Sequence, residues 1–96
     1  MHFVCSLSFT DQGIRSIKDG ANRAKAAREL AAKLGVEIKQ VYLTSGQDDL
    51  LVIAETSNGD NVAKWALALS SRGNVRTRTA RAWTDEEYVK LISELP

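Results

Sequence analysis

Polar and apolar residues alternate strictly from His2 to Phe9. Phe3, Cys5, Leu7 and Phe9 fall on one side; His2, Val4, Ser6 and Ser8 fall on the other. A period of two is that of a strand with one strongly apolar face. The period then changes. Thr10-Asp11 offers an N-cap, and Ile14, Ile17, Ala21, Ala24, Ala27, Ala31 and Leu34 recur at spacings of three and four, with Leu30 beside them. Lys25, Arg28, Glu29 and Lys33 take the other side. The pattern predicts an amphipathic helix whose small residues pack closely on a sheet. Asp19-Gly20 predicts a kink or split, since Asp caps a new start and Gly weakens a helix interior. Gly35 closes the helix.

Val36 to Leu43 reads as a second strand with a phase slip. Val36 and Ile38 point one way, and Val41 and Leu43 the other. Either a bulge lies near Gln40 or the second half is buried on both faces. The polar run Thr44-Ser45-Gly46-Gln47-Asp48-Asp49 supplies the backbone freedom and local hydrogen bonds of a hairpin turn. Leu50 to Ala54 is apolar without alternation, which predicts a strand covered on both faces. A second helix starts at Asn58-Gly59-Asp60, carries Val62, Trp65, Ala66 and Leu69 as its stripe, and ends at Gly73. Asn74 to Trp83 alternates as a fourth strand, with Val75, Thr77, Thr79, Arg81 and Trp83 opposed to Arg76, Arg78, Ala80 and Ala82. The pattern leaves open which set meets the helices. Thr84-Asp85-Glu86-Glu87 is a capping box, with Trp83 and Tyr88 at the staple positions. Tyr88, Leu91, Ile92 and Leu95 give a short final helix its apolar side.

The order β-α-β-β-α-β-α, with right-handed crossovers, inserts the third strand between the first two. The expected fold is α+β: a ferredoxin-like βαββαβ antiparallel sheet with a short C-terminal helix and both long helices on one face. The other face then needs a cover, and a second subunit is the simplest one. The 96 residues make a single domain, 1–96, with a thin core that favours oligomerisation.

Composition removes several function classes. A net charge of +1 gives no bulk attraction to nucleic acid or anionic membrane. No apolar stretch is long enough to span a bilayer and no basic leader precedes the first strand. Cys5 is the only cysteine, which fits a reducing compartment, so a cytoplasmic location is expected. The single histidine, His2, leaves no metal-ligand spacing. No metal and no cofactor are expected. The third strand lacks the aromatic residues on which RNA-binding sheets stack bases.

Three blocks, in order and over nearly the whole chain, resemble the GYD-domain family. They are Thr10-Asp11-Gln12-Gly13-Ile14-Arg15-x-Ile17-Lys18-Asp19, Tyr42-Leu43-Thr44-x-Gly46-x-x-Asp49, and Gly73-Asn74-Val75-Arg76-Thr77-x-Thr79-x-Arg81-Ala82. The resemblance implies a dimeric α+β barrel, in which two sheets pack face to face. The family has no established common activity. Its Gly-x-Tyr-Asp pattern departs here, since Asp48 stands at the tyrosine position.

Candidate chemistry gathers near the strand ends. Asp49 matches the family pattern, while Asp48 and Asp49 together are also ordinary turn residues. Arg76 and Arg78 share a face and suit a carboxylate or phosphate clamp, or else the charged edge of a sheet, or a salt bridge to Asp48 or Asp49. Tyr42 and Thr44 suit the lining of a pocket between sheets, and Gly46 is most simply a backbone requirement. Trp65 and Trp83 are expected to pack in the core and the staple, and Cys5 to be a buried inert thiol. The leading expectation is a small-molecule binding module, with Tyr42, Thr44, Gly46, Asp49, Arg76 and Arg78 around a pocket at the sheet face of a homo-oligomer. Two alternatives stand beside it: a cofactor-independent oxygenase- or isomerase-like enzyme, and an interaction or assembly protein without a pocket.

Overall fold

The computed structural model describes residues 1–96. Four strands, β1 (His2–Phe9), β2 (Glu37–Leu43), β3 (Leu50–Glu55) and β4 (Val75–Ala82), form one antiparallel sheet in the order β2-β3-β1-β4. The helices are α1 (Asp11–Arg15), a 3₁₀ turn (Ile17–Asp19), α2 (Gly20–Lys33), α3 (Gly59–Ser71) and α4 (Asp85–Ser93). This is the ferredoxin-like arrangement, with β3 inserted between β1 and β2.

Local signals act where the sequence places them. Thr10 accepts from the Gly13 amide to cap α1, and Asn58 accepts from Asp60 to cap α3. The long first helix is interrupted just before Gly20, where the 3₁₀ turn meets α2. Gly35 and Gly73 end their helices at φ 75° and 85°, where a Cβ is strained. The β2–β3 register shifts between Ile38 and Gln40, so the phase slip is a bulge.

The core lies between the sheet and α2–α3. Phe3, Cys5 and Leu7 of β1, Val52 and Ala54 of β3, Ala31, Val36, and Val62, Trp65 and Leu69 of α3 are buried together. Trp65 directs its indole N–H to the Ala27 carbonyl at 3.0 Å, joining α3 to α2. Burial pushes the Cys5 thiol pKa up, which favours the neutral, unreactive form.

Pairing settles the faces of β4. Cys5 lies opposite Thr79 and Leu7 opposite Thr77, so Val75, Thr77, Thr79 and Arg81 share the helix side. Arg76, Arg78, Ala80 and Ala82 look out from the uncovered face.

Trp83, at the staple position past the end of the edge strand β4, is 46% exposed, with the Arg81 guanidinium stacked 4.6 Å from its ring centre. One packing expectation is corrected: the first half of the long helical stripe is not core. Ile14 and Ile17 are 52% and 43% exposed, and Ala21 and Ala24 are exposed too. Ile14, Ile17 and Ala24 border a cavity between the helix layer and the sheet instead of filling it.

Candidate functional site

The uncovered face of the sheet carries three of the six sequence-predicted candidates, Tyr42, Arg76 and Arg78; Thr44, Gly46 and Asp49 lie in the hairpin turn. Its rows follow from the register. Glu37, Glu55, His2 and Ala82 form one, Gln40, Ile53, Val4 and Ala80 the next, and Tyr42, Leu51, Ser6 and Arg78 the third. Val4, Leu51 and Ile53 make a half-buried apolar centre with no helix over it. Tyr42 stands beside them, 51% exposed. Acidic Glu37 and Glu55 are bridged by Lys39 at 3.1 and 3.4 Å at one corner. Arg76 and Arg78 mark the opposite corner. Tyr42 and Arg78 share a row but sit on the two edge strands, three strand spacings or about 14 Å apart.

The hairpin residues are engaged in holding the turn. The Phe9 amide donates to the Asp49 carboxylate at 2.8 Å, while the Asp49 amide donates to the Leu7 carbonyl at 2.9 Å. Asp49 thus ties the turn to the end of β1. Asp48 receives Arg78 at 2.8 Å and the Ser8 hydroxyl at 3.2 Å. The Thr44 hydroxyl donates to the Asp48 carbonyl at 2.6 Å. Gly46 is corrected as a backbone requirement: its φ is not in the left-handed region, and an added Cβ would meet nothing within 4 Å.

A second concavity, not foreseen from the sequence, lies on the other side of the sheet. It is a cavity of about 610 Å³ between the helix layer and the strand ends. Ile14, Ile17, Ala24 and Ala27 wall it from the helices, and Leu7, Leu43 and Leu50 from the sheet. Arg23 and Arg72 also line it. The α1 segment that frames it is latched to the α3–β4 turn. Gln12 donates to the Arg72 carbonyl at 3.1 Å and to the Asn74 side chain at 2.9 Å. Gly13 is buried so closely there that a Cβ would lie 2.0 Å from the Asn74 carbonyl oxygen. The legible signal was the helical stripe itself, whose first half has more apolar residues than the core can reach. A shallower groove of about 670 Å³ opens at the other end, beside Arg28, Glu37 and Thr56.

The final helix α4 is fixed at its start only. Thr84 accepts from the Glu87 amide, and Glu87 accepts from the Thr84 amide at 2.8 Å. These hydrogen bonds hold the Glu87 carboxyl below its ordinary value. His2 stands between Glu55 and Glu87, 3.7 Å from each. Beyond this hinge α4 makes no extensive contact with another element. Tyr88, Val89, Leu91, Ile92 and Leu95 remain between 46% and 69% exposed. No helix is long and apolar enough to cross a membrane.

Comparison with known proteins adds two findings. A family model described as GYD domain matches residues 3–92. The chain is also 31% identical over 81 residues to a Thermus thermophilus protein named "Glutamine synthetase and cystathionine beta-lyase binding protein", covering 83% of this chain and 85% of that relative.

Proposed function

This chain belongs to the GYD domain family, and from that premise we propose that it is a protein-binding module that works as an oligomer. The observation that carries this reading is the uncovered sheet face. Its apolar centre of Val4, Leu51 and Ile53 has no cover within the chain, although β3 is apolar on both sides. Its acidic and basic corners lie diagonally opposite. A two-fold axis in the plane of contact can set the Glu37–Glu55 corner of one copy against Arg76 of the next, which is the self-complementarity a homodimer needs.

The name of the Thermus relative supports a further step, in which the oligomer engages enzymes. The apolar side of α4, with Tyr88, Leu91 and Ile92, offers the surface for such a partner in the helix-in-groove manner. The small-molecule reading, with Tyr42, Thr44, Gly46, Asp49, Arg76 and Arg78 as its residues, becomes one in which two copies share a ligand between their sheets. It rests on Tyr42, Arg76 and Arg78 all being on the same face. An enzymatic reading draws less support, because the carboxylates of Asp48 and Asp49 are already engaged by Arg78, Ser8 and the Phe9 amide.

The test has two arms. Light scattering of the purified protein is expected to give a dimer or larger species at micromolar concentration, and Ile53→Glu is expected to yield a folded monomer. Biolayer interferometry with purified glutamine synthetase and with cystathionine β-lyase from the same organism is expected to give saturable binding to at least one. A wild-type monomer that binds neither enzyme would sink the proposal.

A further inference from the structure

We propose that the cavity on the helix side of the sheet binds a free aliphatic carboxylate. Three observations carry it. The first is its lining. Ile14, Ile17 and Leu43 are large apolar side chains held at 52%, 43% and 77% exposure around a space of about 610 Å³. That size falls within the range of small-molecule sites, about 300–1,000 Å³. The second is that the space is built. Gly13 packs tightly against the Asn74 carbonyl and Gln12 hydrogen-bonds to Arg72 and Asn74, so the α1 segment that frames the space is tied to the α3–β4 turn.

The third observation is charge. Arg23, Arg72 and Asp49 are the ionisable residues in the lining. The Asp49 carboxylate is engaged by the Phe9 amide. The Arg23 guanidinium donates only to neutral oxygens, the Gly13 and Ser16 carbonyls and the Ser16 hydroxyl. The Arg72 side chain has no ion-pair or hydrogen-bond partner. The cavity thus combines an apolar wall with guanidinium groups that lack a carboxylate. An aliphatic chain ending in a planar two-oxygen anion matches both features. The site is on the opposite side of the sheet from the proposed protein contact, so either can fail without the other.

Isothermal titration calorimetry with decanoate, 1-decanol and decyltrimethylammonium tests it on the full chain. Decanoate is expected to bind saturably at one molecule per chain, with about tenfold or greater weakening in Arg72→Gln, the loss of one charge-assisted contact. Ala24→Trp, at an exposed helix position facing the space, is expected to abolish binding, with thermal melts confirming that both variants fold. Decanol and the cationic analogue are expected to bind more weakly by a similar factor. Failure of the wild-type protein to take up decanoate overturns the proposal. So does binding that ignores both the head group and Arg72→Gln.

Discussion

The two ends of the helix layer are built from one continuous apolar stripe, yet they pack differently. At the end near the start of β1, Ala31 of α2 is fully buried in the core cluster with Trp65 and Val62. At the end near Phe9, Ile14, Ile17 and Ala24 continue the same spacing but border an open cavity. The difference is in what lies across from each half. Small alanines meet a large indole at the closed end, and volume is filled. At the other end α1 is tied to the α3–β4 turn through Gly13 and Gln12, and no large side chain fills the space beside it. A helical period therefore says which face is apolar, and the partner surface decides whether that face is buried.

Substitutions at the two ends should separate them. The largest effect is expected from Trp65→Ala, which leaves a void in the closed end and frees the Ala27 carbonyl from its indole partner; about 3–5 kcal/mol should be lost in urea unfolding. Gly13→Ala attacks the latch, where the new Cβ would overlap the Asn74 carbonyl, and about 1–3 kcal/mol should be lost in the same assay. A neutral result there would mean that α1 can shift away from the α3–β4 turn at little cost. Ile17→Ser, at the open end, should cost no more than about 1 kcal/mol in the isolated chain. A cost equal to that of a core position would show that the open end is closed in solution.

The smallest expected effect on global stability concerns α4, which stands apart from both ends. Thr84→Ala removes the cap and should reduce far-UV circular dichroism with little change in the melting midpoint. Acid should act on the same device. The Glu87 carboxyl is held below its ordinary 4.5, first by the hydrogen bond from the Thr84 amide. Its stabilisation of the helix is thus present above about 4.5 and lost as the pH falls through the lower folded value. Helix loss that follows the melting of the sheet at every pH would show that α4 is docked on the body.

Much of the candidate surface was readable in the chain, and some was not. The alternation in β4 placed Arg76 with Arg78, and the hairpin placed Asp48 near them, so the Arg78–Asp48 pair at 2.8 Å was among the foreseen possibilities. The role of Asp49 was less visible, because its partner is the amide of Phe9, which lies 40 residues away and carries no side-chain signal. Gly46 looked like a conformational glycine from its turn context, whereas Gly13, inside a helix, is the one whose missing Cβ permits a close approach. The separation of Tyr42 from Arg78 depends on strand order, which places them on opposite edges of the sheet.

The sequence by itself determined the elements, their caps, a phase slip in β2 and the ferredoxin-like order, because periodicity, glycine φ and capping chemistry act within a few residues. It also determined that β3 would be apolar on both sides. Only the tertiary structure decided which face of β4 is uncovered, since an alternating strand carries no label for inside until its neighbour is paired. It also decided that half of a core-like helical stripe would border a cavity, because that depends on how the helix layer meets the sheet, where α1 is tied to the α3–β4 turn by contacts between residues some 60 positions apart.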